Sequence, residues 1–110
     1  MVKITGTRIQ MTRGDTLKAV VGMKTKSGGN YTPAEGDVVR FAMKKKYSDE
    51  DEVLITKVIP NNTLLLHLEP QDTKELSYGR YVYDVQITYA NGDVDTFIDR
   101  AVFELTEEVD

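Results

Sequence analysis

The side chains able to do acid–base or nucleophilic chemistry are few and scattered. His67 is the only histidine. It lies between Leu66 and Leu68 in an alternating run, which puts it on the outward face of a strand. A general base needs an orienting partner and a nucleophile within hydrogen-bond reach, and the spacing supplies neither. Ser27, Ser48 and Ser77 fall in loops or turns, and none has the strand-to-helix context of a nucleophile elbow. Asp49-Glu50-Asp51-Glu52 gathers oxygens of the kind a hard cation takes, but not at EF-hand spacing. It follows Lys44-Lys45-Lys46 at once, and the two runs read as the solvated tip of a hairpin. Asp84 and Asp95 are expected to face each other across the last hairpin, with Arg80 and Arg100 as ion-pair partners. A glycosidase pair needs a cleft as well, and nothing in the pattern predicts one. Gly28-Gly29 lacks the Lys-Ser/Thr of a phosphate loop. The chain has no cysteine, so it has no thiolate chemistry. The expectation is a protein that is not an enzyme, with no catalytic residues and no metal or cofactor site.

Two features suit recognition instead. Arg13-Gly14-Asp15 is an adhesion tripeptide when it crowns a long exposed loop. Here it lies between two closely spaced strands, where Gly14 allows an unusual backbone angle and Asp15 can bond its own backbone. It reads as a bend. Tyr31, Tyr47 and Tyr78 lie in loops and are candidate surface contacts, for instance as a stacking platform for sugar.

A chain of 110 residues fits one domain, residues 1–110. Folding buries roughly 65% of the surface of such a chain, enough for one core. No apolar run follows a basic start, so no signal peptide is expected. No run is long enough to span a bilayer, so no membrane insertion is expected. The net charge is −4. Nucleic-acid binding draws on clustered Lys and Arg, so nucleic acid is not an expected partner.

The elements that would position these residues have period two. Strands are expected at roughly 3–11, 16–24, 37–45, 52–59, 63–69, 80–89 and 93–105. Pro60-Asn61-Asn62 is a turn. Pro70 suits the first turn of a helix, Asp72 and Thr73 suit caps, and one helical turn is expected near 70–76. Asn91-Gly92 signals a tight type I′ hairpin. In the last strand Asp99 shares the parity of Phe97, Ala101, Phe103 and Leu105, a conflict that a bulge near Asp99-Arg100 resolves. About seven short strands separated by turns predict an all-β, immunoglobulin-like antiparallel β-sandwich. Tyr81, with Tyr83 as the rival, is placed to form a tyrosine corner, its hydroxyl bonded to backbone a few residues upstream.

The segments "RGDTLKAVV", "GDVVRFAMKK", "LEPQDTKELSYGRYVYDVQITYANGDVDTF" and "AVFELTEEV" resemble small immunoglobulin-like β-sandwich proteins encoded by phages and prophages of Gram-positive bacteria. The N-terminal domain of baseplate upper proteins is similar. Gly14, Asp15, Thr16, Gly36, Asp37, Pro70, Asp72, Thr73, Gly79, Tyr81, Tyr83, Asp84, Val85, Gly92, Phe103, Glu108 and Val109 carry the likeness. It spans nearly the whole chain, without the long extension of a baseplate protein. It implies a structural or assembly role in a phage tail or baseplate. The implied partners are other tail or baseplate proteins or copies of the chain itself. The implied location is the virion, after synthesis in the bacterial cytoplasm. The alternative is a module that binds carbohydrate or a host surface through its loop tyrosines.

Overall fold

A computed structural model describes residues 2–23, 29–46 and 52–107. Alternation becomes strand wherever one parity can be buried. The chain forms β1 (Val2–Thr5), β2 (Arg8–Thr12), β3 (Leu17–Val20), β4 (Val38–Lys44), β5 (Val53–Ile59) and β6 (Leu65–Leu68). The short helix α1 (Pro70–Lys74), β7 (Gly79–Thr88) and β8 (Val94–Thr106) complete it. Six strands make one sheet in the order β1-β2-β8-β7-β4-β5, and β3 pairs with β6 in a second. The neighbours are antiparallel except β2 and β8, which run parallel. This is an all-β sandwich. Its order matches the immunoglobulin arrangement, with β4, β7 and β8 placed as strands C, F and G in one layer and β3 beside β6 as B beside E in the other.

The core sits between the layers. Val39, Phe41 and Met43 of β4, Val85 and Ile87 of β7, and Phe103 and Leu105 of β8 share one core with Leu66 and Leu68 of β6, all with at most 2% exposure. Phe41, Tyr83 and Phe103 form an aromatic cluster with centroids 5.3–6.4 Å apart. Burying side chains of this size contributes roughly 1.5–3 kcal/mol each.

Several local expectations are corrected. The stretch 3–11 is two strands, not one. Gly6 takes φ +60° and folds β1 back on β2, with Ile4 opposite Ile9. The turn at Asn91-Gly92 is not type I′. The Gly92 N–H donates to Tyr89 O (2.8 Å) and the Tyr89 N–H to Asp93 O (2.7 Å). Of these residues only Gly92 has positive φ, +94°. That is a type I turn over Ala90-Asn91 closed by a left-handed glycine. The turn after Pro60 is present, and Leu64 at its end is left-handed with φ +52°.

The bulge near Asp99-Arg100 is present. Tyr83 pairs with Ala101 and Val85 with Ile98, so two steps on β7 meet three on β8. Arg100 has φ +54°. Its N–H donates to Asp84 Oδ1 at 2.8 Å, which replaces a ladder bond. Asp84 therefore serves the bulge and does not face Asp95, which pairs with Ile87.

The helical turn forms with Pro70 at its start. The Asp72 carboxylate accepts the Glu69 N–H at 2.7 Å and the Lys57 ammonium at 2.9 Å, which fixes α1 to β5. Thr73 is not a cap. It is fully buried, and its Oγ1 accepts the Gly14 N–H at 2.9 Å.

Candidate functional site

The structure assigns most of the chemistry-bearing residues to holding the sandwich together. At one end, Arg13-Gly14-Asp15 is the bend between β2 and β3, with Gly14 at φ +85°. Arg13 Nη1 donates to Leu76 O and Nη2 to the Tyr78 hydroxyl, both at 3.1 Å. The guanidinium also lies 4.3 Å from the Tyr78 ring centroid. An adhesion loop would present the arginine freely, whereas this one is folded onto the segment after α1. Beside it the Tyr81 hydroxyl donates to Ser77 O at 2.6 Å, four residues upstream, the geometry of a tyrosine corner. The Tyr83 hydroxyl instead donates to Thr7 O and pins the β1–β2 turn. Burial pushes the Tyr83 hydroxyl up to about 12.

At the other end Asp37 is the organising group. Its Oδ2 accepts the Ala34 N–H and the Tyr31 hydroxyl, each at 2.8 Å, and its Oδ1 accepts the Ala90 N–H at 3.2 Å. Asn61 Nδ2 donates to its backbone carbonyl at 2.8 Å. The Ala34 amide first, then the Tyr31 hydroxyl, hold the carboxyl below the usual aspartate range. The same contact pushes Tyr31 up to about 12, because ionising it would set a phenolate against a carboxylate. Tyr31 also stacks on Phe97 and meets Tyr89 edge-on, each at 6.0 Å.

Tyr31 and Tyr78 are not brought together. Tyr78 precedes β7 and Tyr31 packs on Tyr89 just beyond its end. The ten residues of β7 separate them, about 30 Å at the usual rise per strand residue. Tyr47 lies outside the described residues, as do Ser27, Ser48, Gly28 and Asp49 to Asp51. His67 sits opposite Lys18 on β3, with its Nε2 3.2 Å from Glu69 Oε1. Among the described residues no group of three or more His, Cys, Asp or Glu could hold a metal ion. No helix of the described residues is long and apolar enough to cross a membrane.

Two surface features stand apart from this scaffolding, and sequence reading missed both. The first is a cleft of about 380 Å³ beside β3, bordered by Ile4, Ile9, Val20, Phe97 and Ile98. It exists because the layers are unequal: six strands span about 24 Å and two only about 5 Å. Among the described residues Thr7 and Tyr83 give it its polar side chains, and Tyr83 is the one ionisable group in its lining. A crevice was not expected, and among the described residues this one brings together no acid–base pair.

The second feature is the edge strand β5. Ile55 and Ile59 turn inward at 6% and 1% exposure, while Val53, Leu54 and Val58 are exposed at 44%, 38% and 65%. An edge strand presents unpaired backbone groups along its whole length, and exposed apolar side chains make it a template for pairing. Period two made β5 legible as a strand. The alternation did not show that β5 is the outermost strand.

The class that fold and surface define is a two-layer β-sandwich whose apolar strand β5 is outermost in its sheet among the described residues. No protein-family model matches the chain, and a search of curated proteins gives no match.

Proposed function

We propose that the chain is a non-enzymatic structural module of a phage tail or baseplate, acting through protein–protein contacts. The observation that carries the reading is β5: a seven-residue edge strand with three large apolar side chains in solvent. Monomeric sandwiches blunt such edges with short strands, proline or charge, because an open edge recruits another chain. The likeness to phage sandwich proteins over nearly the whole sequence supports the setting. The roles of Arg13, Asp37, Asp84 and Tyr81 in bracing turns agree with a part selected for shape. The test is mass spectrometry of phage particles released by the strain that carries the gene. The protein is expected among the tail or baseplate components at a fixed ratio to them. Particles that form without it would overturn the reading.

A further inference from the structure

We propose that β5 is a self-association edge, pairing antiparallel with β5 of a second copy about a two-fold axis through Thr56. The inference rests on the assembly reading and names its strand and its partner. Opposite residues in an antiparallel pair share a face, and a one-residue slip would set inward residues against outward ones. Only axes through a residue therefore keep both cores intact. An axis through Lys57 would oppose two like charges. An axis through Ile55 would leave Val58 beyond the paired strand.

The axis through Thr56 pairs the five residues from Leu54 to Val58, and Val53 lies past a register shift at Leu54 that puts it opposite the outward Lys44. The axis sets Leu54 against Val58 twice, so exposed apolar side chains meet each other across the join. Lys57 then lies opposite Ile55, and no charge opposes a like charge. An inward-pointing lysine is a usual guard against edge pairing. Here it is already engaged by Asp72 at 2.9 Å, so its charge is neutralised within the chain. The interface is isologous, as closed dimers are, and it joins two six-stranded sheets into one with both small sheets on the same side.

The chain has no cysteine, so one introduced thiol reports its own neighbour. At the axis, Thr56→Cys meets its copy with Cα atoms about 4.5–5.5 Å apart, inside the range a disulfide spans. Val20→Cys, on the exposed Val20 of β3, is the control for random collision. Under mild oxidation Thr56→Cys is expected to cross-link at least tenfold faster than Val20→Cys. Equal rates, with both variants folded by circular dichroism, would overturn the proposal. Thr56→Lys, which opposes a charge to itself, is expected to leave the purified chain monomeric and absent from particles. If Thr56→Lys enters particles as well as the unchanged chain, the edge is wrong while the assembly reading stands. If the unchanged chain is absent from particles, the assembly reading itself fails.

Discussion

Among the described residues the large sheet ends in two edge strands that are built differently. β1 is four residues long, turns back through Gly6, and offers Lys3, Ile4 and Thr5 to solvent. Its one charged side chain, Lys3, is exposed, so this edge is short and carries charge in solvent. β5 is seven residues long, and its one lysine is turned inward and tied to α1. Shortness and charge discourage edge pairing, and β1 has both. One sheet thus carries a short, charged edge and a longer, more apolar one.

The largest effect that sharpens this contrast is in the core beneath each edge. Ile59→Ala on β5 empties a site with 1% exposure and is expected to cost about 2–5 kcal/mol. Ile4→Ala on β1, with Ile4 at 47% exposure, is expected to stay within about 0.5 kcal/mol. Urea unfolding of both variants measures the ratio. Comparable losses would show that β1 is as firmly packed as β5.

The next effect lies in the turns. Gly36 has φ +93°, and a Cβ there would come within 2.9 Å of the Ala90 Cβ. Gly6 has φ +60° with open space around it. Gly6→Ala carries only the left-handed penalty, about 1–2 kcal/mol, and Gly36→Ala is expected to lose more. Thermal melts rank the two.

A smaller effect separates a guard from a tether. Lys57→Met removes the bridge to Asp72, whose side chains are 31% and 18% exposed. It is expected to cost no more than about 1 kcal/mol. It should also strengthen self-association, because the opposed Ile55 then meets an apolar chain. Sedimentation velocity reads the association, and a weakened dimer would contradict this account of Lys57.

The pH dependence arises away from both edges. The Asp37 carboxyl lies below its ordinary value in the folded state. The stability it contributes is therefore present above the unfolded aspartate value, about 4, and is lost as pH falls through that value and then the folded one. Asp37→Asn is expected to flatten the acid limb of a stability–pH curve. An unchanged acid limb would show that Asp37 does not set it.

Much of the fold was legible because the alternation is strict where a strand has one wet face. β4 and β7 run as the pattern says, and the parity conflict at Asp99 located a real bulge. The β1–β2 hairpin was hidden because Gly6-Thr7 sits inside a stretch that alternates on both sides. The turn at Asn91-Gly92 was misread because its outer residues, Tyr89 and Asp93, bond each other and lengthen the loop. The anchoring of Arg13 depends on partners 63 and 65 residues away, which no local pattern carries. The open edge was the least legible feature, since which strand lies outermost is a property of the assembled sheet.

The most direct measurement is the mass in solution of the unchanged chain beside Thr56→Lys and Val20→Lys, by light scattering after size-exclusion chromatography. The account predicts dimers for the unchanged chain and for Val20→Lys, and a folded monomer for Thr56→Lys. A Thr56→Lys chain with the same mass as the unchanged chain would contradict it.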